Sequence, residues 1–216
     1  MLKNSDELNG MREAGKLAAE VLEMITDYVK PGISTGELDE ICFKYITDVQ
    51  KAIPANVGYR GFEKTLCTSI NQVICHGIPD TNRILKSGDI MNIDVTVIKD
   101  GWHGDTSKMF LIGKAQSHNE RLVRVTQECL YKGIEAARPG ARLGDIGNAI
   151  QIHAEKNYYS VVEEYCGHGI GKIYHDEPQI LHYGEPNTGQ EIIEGMCFTI
   201  EPCLLYTSPS PRDSYG

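Results

Sequence analysis

The sequence predicts an α/β fold of the α+β kind, made of two like halves, each a helix–helix–strand–hairpin unit. Three observations lead there. Residues 87–110, SGDIMNIDVTVIKDGWHGDTSKMF, carry a hairpin signature. Asn92, Asp94 and Thr96 alternate with Ile93, Val95 and Val97, the period-2 pattern of a strand with one buried face, and Asp100-Gly101 is a strong turn signal. Four stretches place apolar residues at helical spacing. Three short matches then recur in the same order along the chain. Lys30-Pro31-Gly32 with Gly36 matches Arg138-Pro139-Gly140 with Gly144 at an offset of 108. His76-Gly77-Ile78 matches His168-Gly169-Ile170 at 92, and Gly88 with Ile93-Asp94 matches Gly195 with Ile200-Glu201 at 107.

The first helix is expected over residues 6–29, with Leu8, Met11, Leu17, Ala18, Val21, Leu22, Ile25 and Val29 in its stripe, and Pro31-Gly32 ends it. Ser34 with Glu37 forms a capping box for a second helix, whose stripe is Leu38, Ile41, Cys42, Tyr45, Ile46 and Val49. Residues 54–75 read as mixed loop and strand, and the hairpin follows. Ser117 with Glu120 suggests a capping box for a third helix running to about Ala137. Pro139-Gly140 ends that helix, and a fourth covers Leu143 to Lys156. Val161-Val162 reads as strand, Glu164 to Pro178 as a glycine-rich loop or strand edge, and Glu194 to Pro202 as a further strand.

A chain of 216 residues with 41% hydrophobic and 24% charged residues has the composition of a soluble globular protein with a sizeable core. Its net charge of −9 gives no electrostatic footprint for nucleic acid or an acidic membrane, so no direct nucleic-acid binding is expected. No apolar run reaches membrane-span length, and the charged N-terminus lacks the apolar centre of a signal peptide. The seven cysteines are odd in number, scattered and without a C-x-x-C pair, which points to a reducing, cytoplasmic setting rather than a disulfide framework.

With a two-residue turn at Asp100-Gly101, Asp94 faces Ser107 and Thr96 faces Asp105. Asp94 and Asp105 then share one face as diagonal neighbours, within reach of a shared ion. Two acids placed so repel unless a cation lies between them. Two like halves facing each other would bring Asp94 and Glu201 to equivalent places, and would relate His76 to His168. Asp94, Asp105, His168 and Glu201 make a mixed oxygen and nitrogen set that suits Mn, Fe, Co or Zn better than a thiolate site. Ions held there would activate a water and polarise a carbonyl, with a histidine close by to meet the developing oxyanion. Singly, each residue reads more readily as a solvated face, a strand-end acid or a turn histidine than as a ligand; the repeat is what favours the metal. A Cys–His nucleophile from Cys75-His76 is disfavoured because adjacent strand residues point to opposite faces. Gly167-x-Gly169-x-Gly171 lacks the rest of a nucleotide-binding loop.

Longer motifs carry a resemblance. VKPGISTGELDEIC at Val29 to Cys42, CHGIP at Cys75 to Pro79, NIDVTVIKDGWHGDTSKMF at Asn92 to Phe110, EYCGHGIG at Glu164 to Gly171, HDEPQILHY at His175 to Tyr183 and GMCFTIEP at Gly195 to Pro202 resemble the bacterial type I methionine aminopeptidases. The resemblance runs from about Asp6 to Pro202. It implies the pita-bread fold, two pseudosymmetric halves around a two-metal site, and removal of the initiator methionine from new proteins with a small second residue. By that resemblance Asp94 chelates one ion, Asp105 bridges both, and His168 and Glu201 bind the other. His76 contacts the substrate near the scissile amide and His175 stabilises the tetrahedral intermediate. Tyr59, Phe62, Cys67 and Tyr174 line the methionine pocket, where an unbranched thioether suits soft apolar walls. The implied cofactors are two divalent ions (Co, Mn, Fe or Zn). The implied partners are nascent peptide N-termini, with the ribosome a further candidate and no membrane.

The end of the chain departs from that pattern. After Pro202 the sequence reads CLLYTSPSPRDSYG, rich in Ser and Pro and without strand alternation. The expectation is a catalytic domain over 1–203, incomplete at its C-terminal end, and a non-native or disordered tail over 204–216. A second bridging glutamate is then missing, at most one ion binds with useful affinity instead of two, and the alternative to an active enzyme is an inert fragment or a module that holds peptide N-termini.

Overall fold

The carboxylate hairpin forms with the two-residue turn its sequence specifies. In the computed structural model, which describes residues 1, 2 and 4–206, strand β3 (Ile90–Lys99) pairs antiparallel with β4 (Trp102–Leu111). Asp100 and Gly101 both sit at positive φ, 50° and 81°, as a turn matched to the strand twist requires. Lys99 faces Trp102, Asp94 faces Ser107 and Thr96 faces Asp105. β1 (Ile53–Pro54) and β2 (Leu66–Ile70) join β3 to complete a four-stranded sheet.

The described chain divides into two compact units, Met1–Glu120 with Gly169–Glu177, and Arg121–His168 with the chain from Pro178 onward. In the first, helix α1 (Ser5–Ile25) starts at Asn4, whose side chain accepts from the Asp6 and Glu7 amides. It buries Leu17, Ala18, Val21, Leu22 and Ile25 against Ile93, Val95 and Val97 of β3. Gly104 lets β4 come this close: a Cβ there would collide with the Ala14 carbonyl. Gly104→Ala should therefore cost about 1–3 kcal/mol through overpacking, read as a lower urea midpoint; an unchanged midpoint would show that α1 can shift freely.

Helix α2 (Thr35–Lys44) starts with the predicted Ser34–Glu37 capping box and continues into a π-turn over Tyr45–Val49. Asp39 on α2 is buried, and its carboxylate accepts from the Thr65 and Leu66 amides at 2.8 and 2.9 Å, tying the start of β2 to the helix.

The second unit has its own core. Val125 and Cys129 of α3 (Ser117–Ala136) pack with Ile146, Ile150 and Ala154 of α4 (Leu143–Lys156). Strand β5 (Tyr159–Val161) pairs with β8 (Leu204–Tyr206), and β6 (Gly167–Gly169) with β7 (Asp176–Ile180). No helix among the described residues is long and apolar enough to cross a membrane.

The internal repeat is written into the backbone hydrogen bonds. Gly32 N–H donates to Leu85 O and Gly140 N–H to Ile192 O, each at 2.9 Å. Leu85 N–H donates back to Ile33 O and Ile192 N–H to Ala141 O, each at 2.8 Å. Gly36 N–H reaches Asp80 O at 3.1 Å and Gly144 N–H reaches Thr188 O at 3.0 Å. Single bridges Ser34↔Ile84 and Arg142↔Glu191 complete the correspondence.

Five expectations change. α1 ends at Ile25, where Thr26 turns its hydroxyl back onto the Leu22 carbonyl, and not at 29. Ser117 lies already inside α3, with Gln116 accepting the first helical bond from Glu120 N–H, so Ser117 does not cap it. Glu194 to Pro202 forms no strand: Thr199 N–H bonds His168 O, but Glu201 N–H goes to a side chain instead of a neighbouring strand. Leu204–Tyr206, placed in a loose tail by composition, forms β8, and Leu204 is buried in the second core. The remainder of the expected tail, 207–216, lies outside the described residues. Finally, His76 and His168 are not counterparts. His168 lies within strand β6, whereas His76 lies in the segment that returns along β2, where Gly77 O accepts from Thr68 N–H at 2.7 Å. The return segment after β6 is β7, and the histidine at its start is His175.

Candidate active site

The sheet of the first unit has one apolar face and one polar face, set by the period of two. Register places Cys67 opposite Asp94 across β2–β3, and Asp94 opposite Ser107 across β3–β4. Asp94, Thr96, Asp105, Ser107 and Cys67 therefore share the face turned away from α1. Asp94 and Asp105 are half-buried and diagonal on that face, as the turn geometry requires. Cys67 is buried beside them, and burial first, then the two carboxylates and Cys75, push its thiol up to about 12. A thiol held neutral in this way is a poor nucleophile.

Against this face stands an aromatic group within the same unit. Tyr174 is buried; its ring centroid lies 4.8 Å from that of Tyr59 and 4.2 Å from that of His175. The rings of Tyr59 and His175 stack at 5.3 Å, and the Tyr59 hydroxyl meets His175 Nδ1 at 2.9 Å. Tyr59 opens a short 3-10 turn that Gly58 N–H closes onto Phe62 O at 2.7 Å, and Phe62 at its end is half-buried. His76 is exposed at a φ of 55°, and the Gly77 N–H donates to Ser69 Oγ at 3.1 Å, which fixes the bend that presents it.

The second unit holds His168 and Glu201. The His168 ring is buried, with Nε2 3.7 Å from Glu201 Oε1. Thr199 links them: its hydroxyl accepts from His168 N–H at 3.0 Å and donates to Glu201 Oε1 at 2.6 Å. Sequence reasoning missed His182. It is 1% exposed, and its Nε2 accepts from the Glu201 N–H at 3.1 Å. Burial pushes its pKa down to about 4, so the ring is neutral, with Nε2 as acceptor. Gly167 allows the approach of this segment to β6, because a Cβ there would strike the Thr199 carbonyl.

Among the described residues no three His, Cys, Asp or Glu side chains are gathered into a ready-made cage. The donors stand as an acid pair on β3–β4 in one unit and as the His168–Glu201 couple in the other. Three carboxylates and one imidazole are nonetheless a chemically suitable set for a divalent ion of the Mn, Fe, Co or Zn class. None of the seven cysteines is in a disulfide, and Cys42 and Cys129 are core residues whose burial raises them to about 12 and about 11.

The family model for metallopeptidase family M24 matches residues 9–215. A methionine aminopeptidase of Salmonella typhimurium is 60% identical over 203 residues, which is 94% of this chain and 77% of that protein. The crystal structure of methionine aminopeptidase from Rickettsia prowazekii superposes with a TM-score of 0.94 at 53% identity, covering 96% of this chain and 83% of that one. The methionine aminopeptidase structure from Thermotoga maritima gives 0.91 at 34% identity over 94% of this chain and 82% of that one. The fold is thus the pita-bread fold that the sequence motifs imply.

Proposed function

This chain belongs to metallopeptidase family M24 and, within it, to the methionine aminopeptidases, and on that premise we propose that it removes the N-terminal methionine from newly made polypeptides whose second residue is small. It is a metallo-exopeptidase. The observation that carries the substrate reading is the acid pair Asp94 and Asp105 on the same sheet face as Cys67, with the Tyr59–Tyr174–His175 group packed against it.

In this reading Asp94, Asp105, His168 and Glu201 would hold divalent ions of the Co, Mn, Fe or Zn class, and the catalytic domain expected over 1–203 extends to take in β8, since Leu204 is buried in the second core. Bound there, the ions supply a polarised scissile carbonyl and an activated water. The rest is the work of side chains. Thr199 fixes the Glu201 carboxylate and the His168 backbone together, so the two ligands move as one. The Tyr59 hydroxyl and His175 Nδ1 are 2.9 Å apart; with the hydroxyl as donor, the His175 proton would lie on Nε2, the nitrogen that donates to the developing oxyanion. His76, presented by the bend before Gly77, steadies the scissile amide. Tyr59, Phe62, Cys67 and Tyr174 receive the methionine side chain, and limited room beyond them excludes a branched second residue.

The test is methionine release from Met-Ala, Met-Gly, Met-Leu and Leu-Ala peptides with Mn or Co. Met-Ala and Met-Gly should lead by roughly 1–3 kcal/mol in transition-state binding, or about ten- to two-hundredfold in kcat/KM, and chelator should remove the activity. Equal rates across the panel would point to a general aminopeptidase.

A further inference from the structure

The Tyr174 hydroxyl sits in a buried chain of three side chains. Its O–H donates to Asn56 Oδ1 at 2.7 Å. It must therefore accept from the Thr96 hydroxyl, 2.6 Å away. Asn56 is anchored in turn by its amide, which donates to Thr65 O at 3.0 Å. Thr96 is fully buried and Asn56 is 6% exposed. Thr96 faces Asp105 across the hairpin. The chain thus runs from the acid-bearing hairpin through the ring of Tyr174 to the loop that leads to Tyr59. Tyr174 is also held on its faces, 5.5 Å from the His103 ring and 4.8 Å from Tyr59. His103 is itself pinned, its backbone N–H at 2.9 Å and its Nδ1 at 3.0 Å from Gly171 O.

We propose that Asn56 and Thr96 are positioning residues that fix Tyr174 as the wall of the methionine pocket, so that side-chain selectivity depends on this buried hydrogen-bond chain and not on apolar contact alone. The inference rests on the reading of Tyr59, Phe62, Cys67 and Tyr174 as that pocket. A hydroxyl engaged on both sides has no donor to offer a substrate, so the wall meets the substrate as a fixed aromatic plane. A tyrosine without its two partners would instead bury an unpaired hydroxyl, and the ring would turn or shift to relieve it. The chain also gives the pocket a fixed distance from the hairpin acids, because one of its members is the strand neighbour of Asp105.

Tyr174→Phe removes a single oxygen and keeps the ring. Asn56→Ala removes the acceptor and the link to Thr65. Each is compared with the parent protein, loaded with Mn, on Met-Ala and Leu-Ala peptides. The expected result is a fall of roughly tenfold in the Met/Leu ratio of kcat/KM, carried by a higher KM for Met-Ala, with Mn binding by calorimetry unchanged. A role in stability alone would lower both substrates together and leave the ratio untouched, and that outcome overturns the proposal. If Asn56→Ala does not fold, Tyr174→Phe alone decides it by the same ratio. A parent protein that shows no preference for Met over Leu overturns the pocket reading itself, which distinguishes its failure from that of the hydrogen-bond chain.

Discussion

His168→Ala should abolish metal-supported hydrolysis while leaving the fold in place. The ring is buried, its Nε2 stands 3.7 Å from Glu201 Oε1, and in the proposed ligand set it is the one nitrogen among carboxylates. Alanine removes that nitrogen and leaves the strand bonds intact, because Thr199 bonds the backbone N–H and carbonyl of residue 168, not its ring. Changing only the outer partners of a metal site commonly costs about 10–100-fold in affinity, so loss of a direct ligand should exceed that. The expected result is a drop of more than about 100-fold in Mn or Co affinity by calorimetry, with methionine release reduced to background. The circular dichroism spectrum should stay near that of the parent. Near-normal turnover and metal affinity would show that His168 is not a ligand.

What the sequence could reveal about this molecule depended on how local the determining chemistry was. The hairpin was fully legible, because Asp100-Gly101 sets a two-residue turn and a period of two then fixes which residues share a face. The helix starting at Thr35 was legible for the same reason: Ser34 and Glu37 satisfy each other's orphan groups three residues apart. Glu194 to Pro202 was not, since apolar alternation marks extended chain but says nothing of whether a partner strand lies beside it. Leu204–Tyr206 was obscured by the Ser- and Pro-rich composition of residues 207–216, although a run of Leu, Leu and Tyr has the bulk and shape of a buried strand. Spacing does not decide the counterpart of His76. The offset of 92 to His168 and the offset of 99 to His175 both depart from the 107 and 108 of the other two matches, and only strand placement separates them.

His182 shows the limit of motif reading in the site itself. It lies between Leu181 and Tyr183, in a stretch that reads as apolar filler, yet it is as buried as Ile180, the last residue of β7, two positions before it. Period-2 placement beside a fully buried isoleucine was the available hint that this histidine is internal. Its partner, the Glu201 N–H, lies 19 residues away in sequence, and no spacing rule links the two. The same holds for Asn56 and Tyr174, 118 residues apart and joined only by the fold. Candidate ligand types are thus visible as chemistry in the chain, whereas the groups bonded to them become visible only once the backbone has brought distant segments together.

The neutral state of His182 makes folding stability fall on the acid side of neutrality. Burial lowers its folded pKa to about 4, against an ordinary value of 6.5. Between those two values the unfolded chain binds a proton that the folded chain refuses. Stability therefore rises with pH across this window. The contribution is fully present above about pH 6.5, is lost as pH falls, and stops changing once the folded ring also protonates near pH 4. At about 1.4 kcal/mol per pH unit the loss amounts to about 3 kcal/mol over the window. Protonation also turns the Nε2 acceptor into a donor facing the Glu201 N–H, so the bond that holds Glu201 is lost in the same step. The measurement is urea unfolding with chelator present at several pH values between about 4 and 8, for the parent and for His182→Gln, whose amide oxygen can accept the same N–H without titrating. The variant should lose most of the acid-side slope that the parent shows. Identical slopes would mean that the acid sensitivity of this fold arises elsewhere and that the His182 ring is not held neutral.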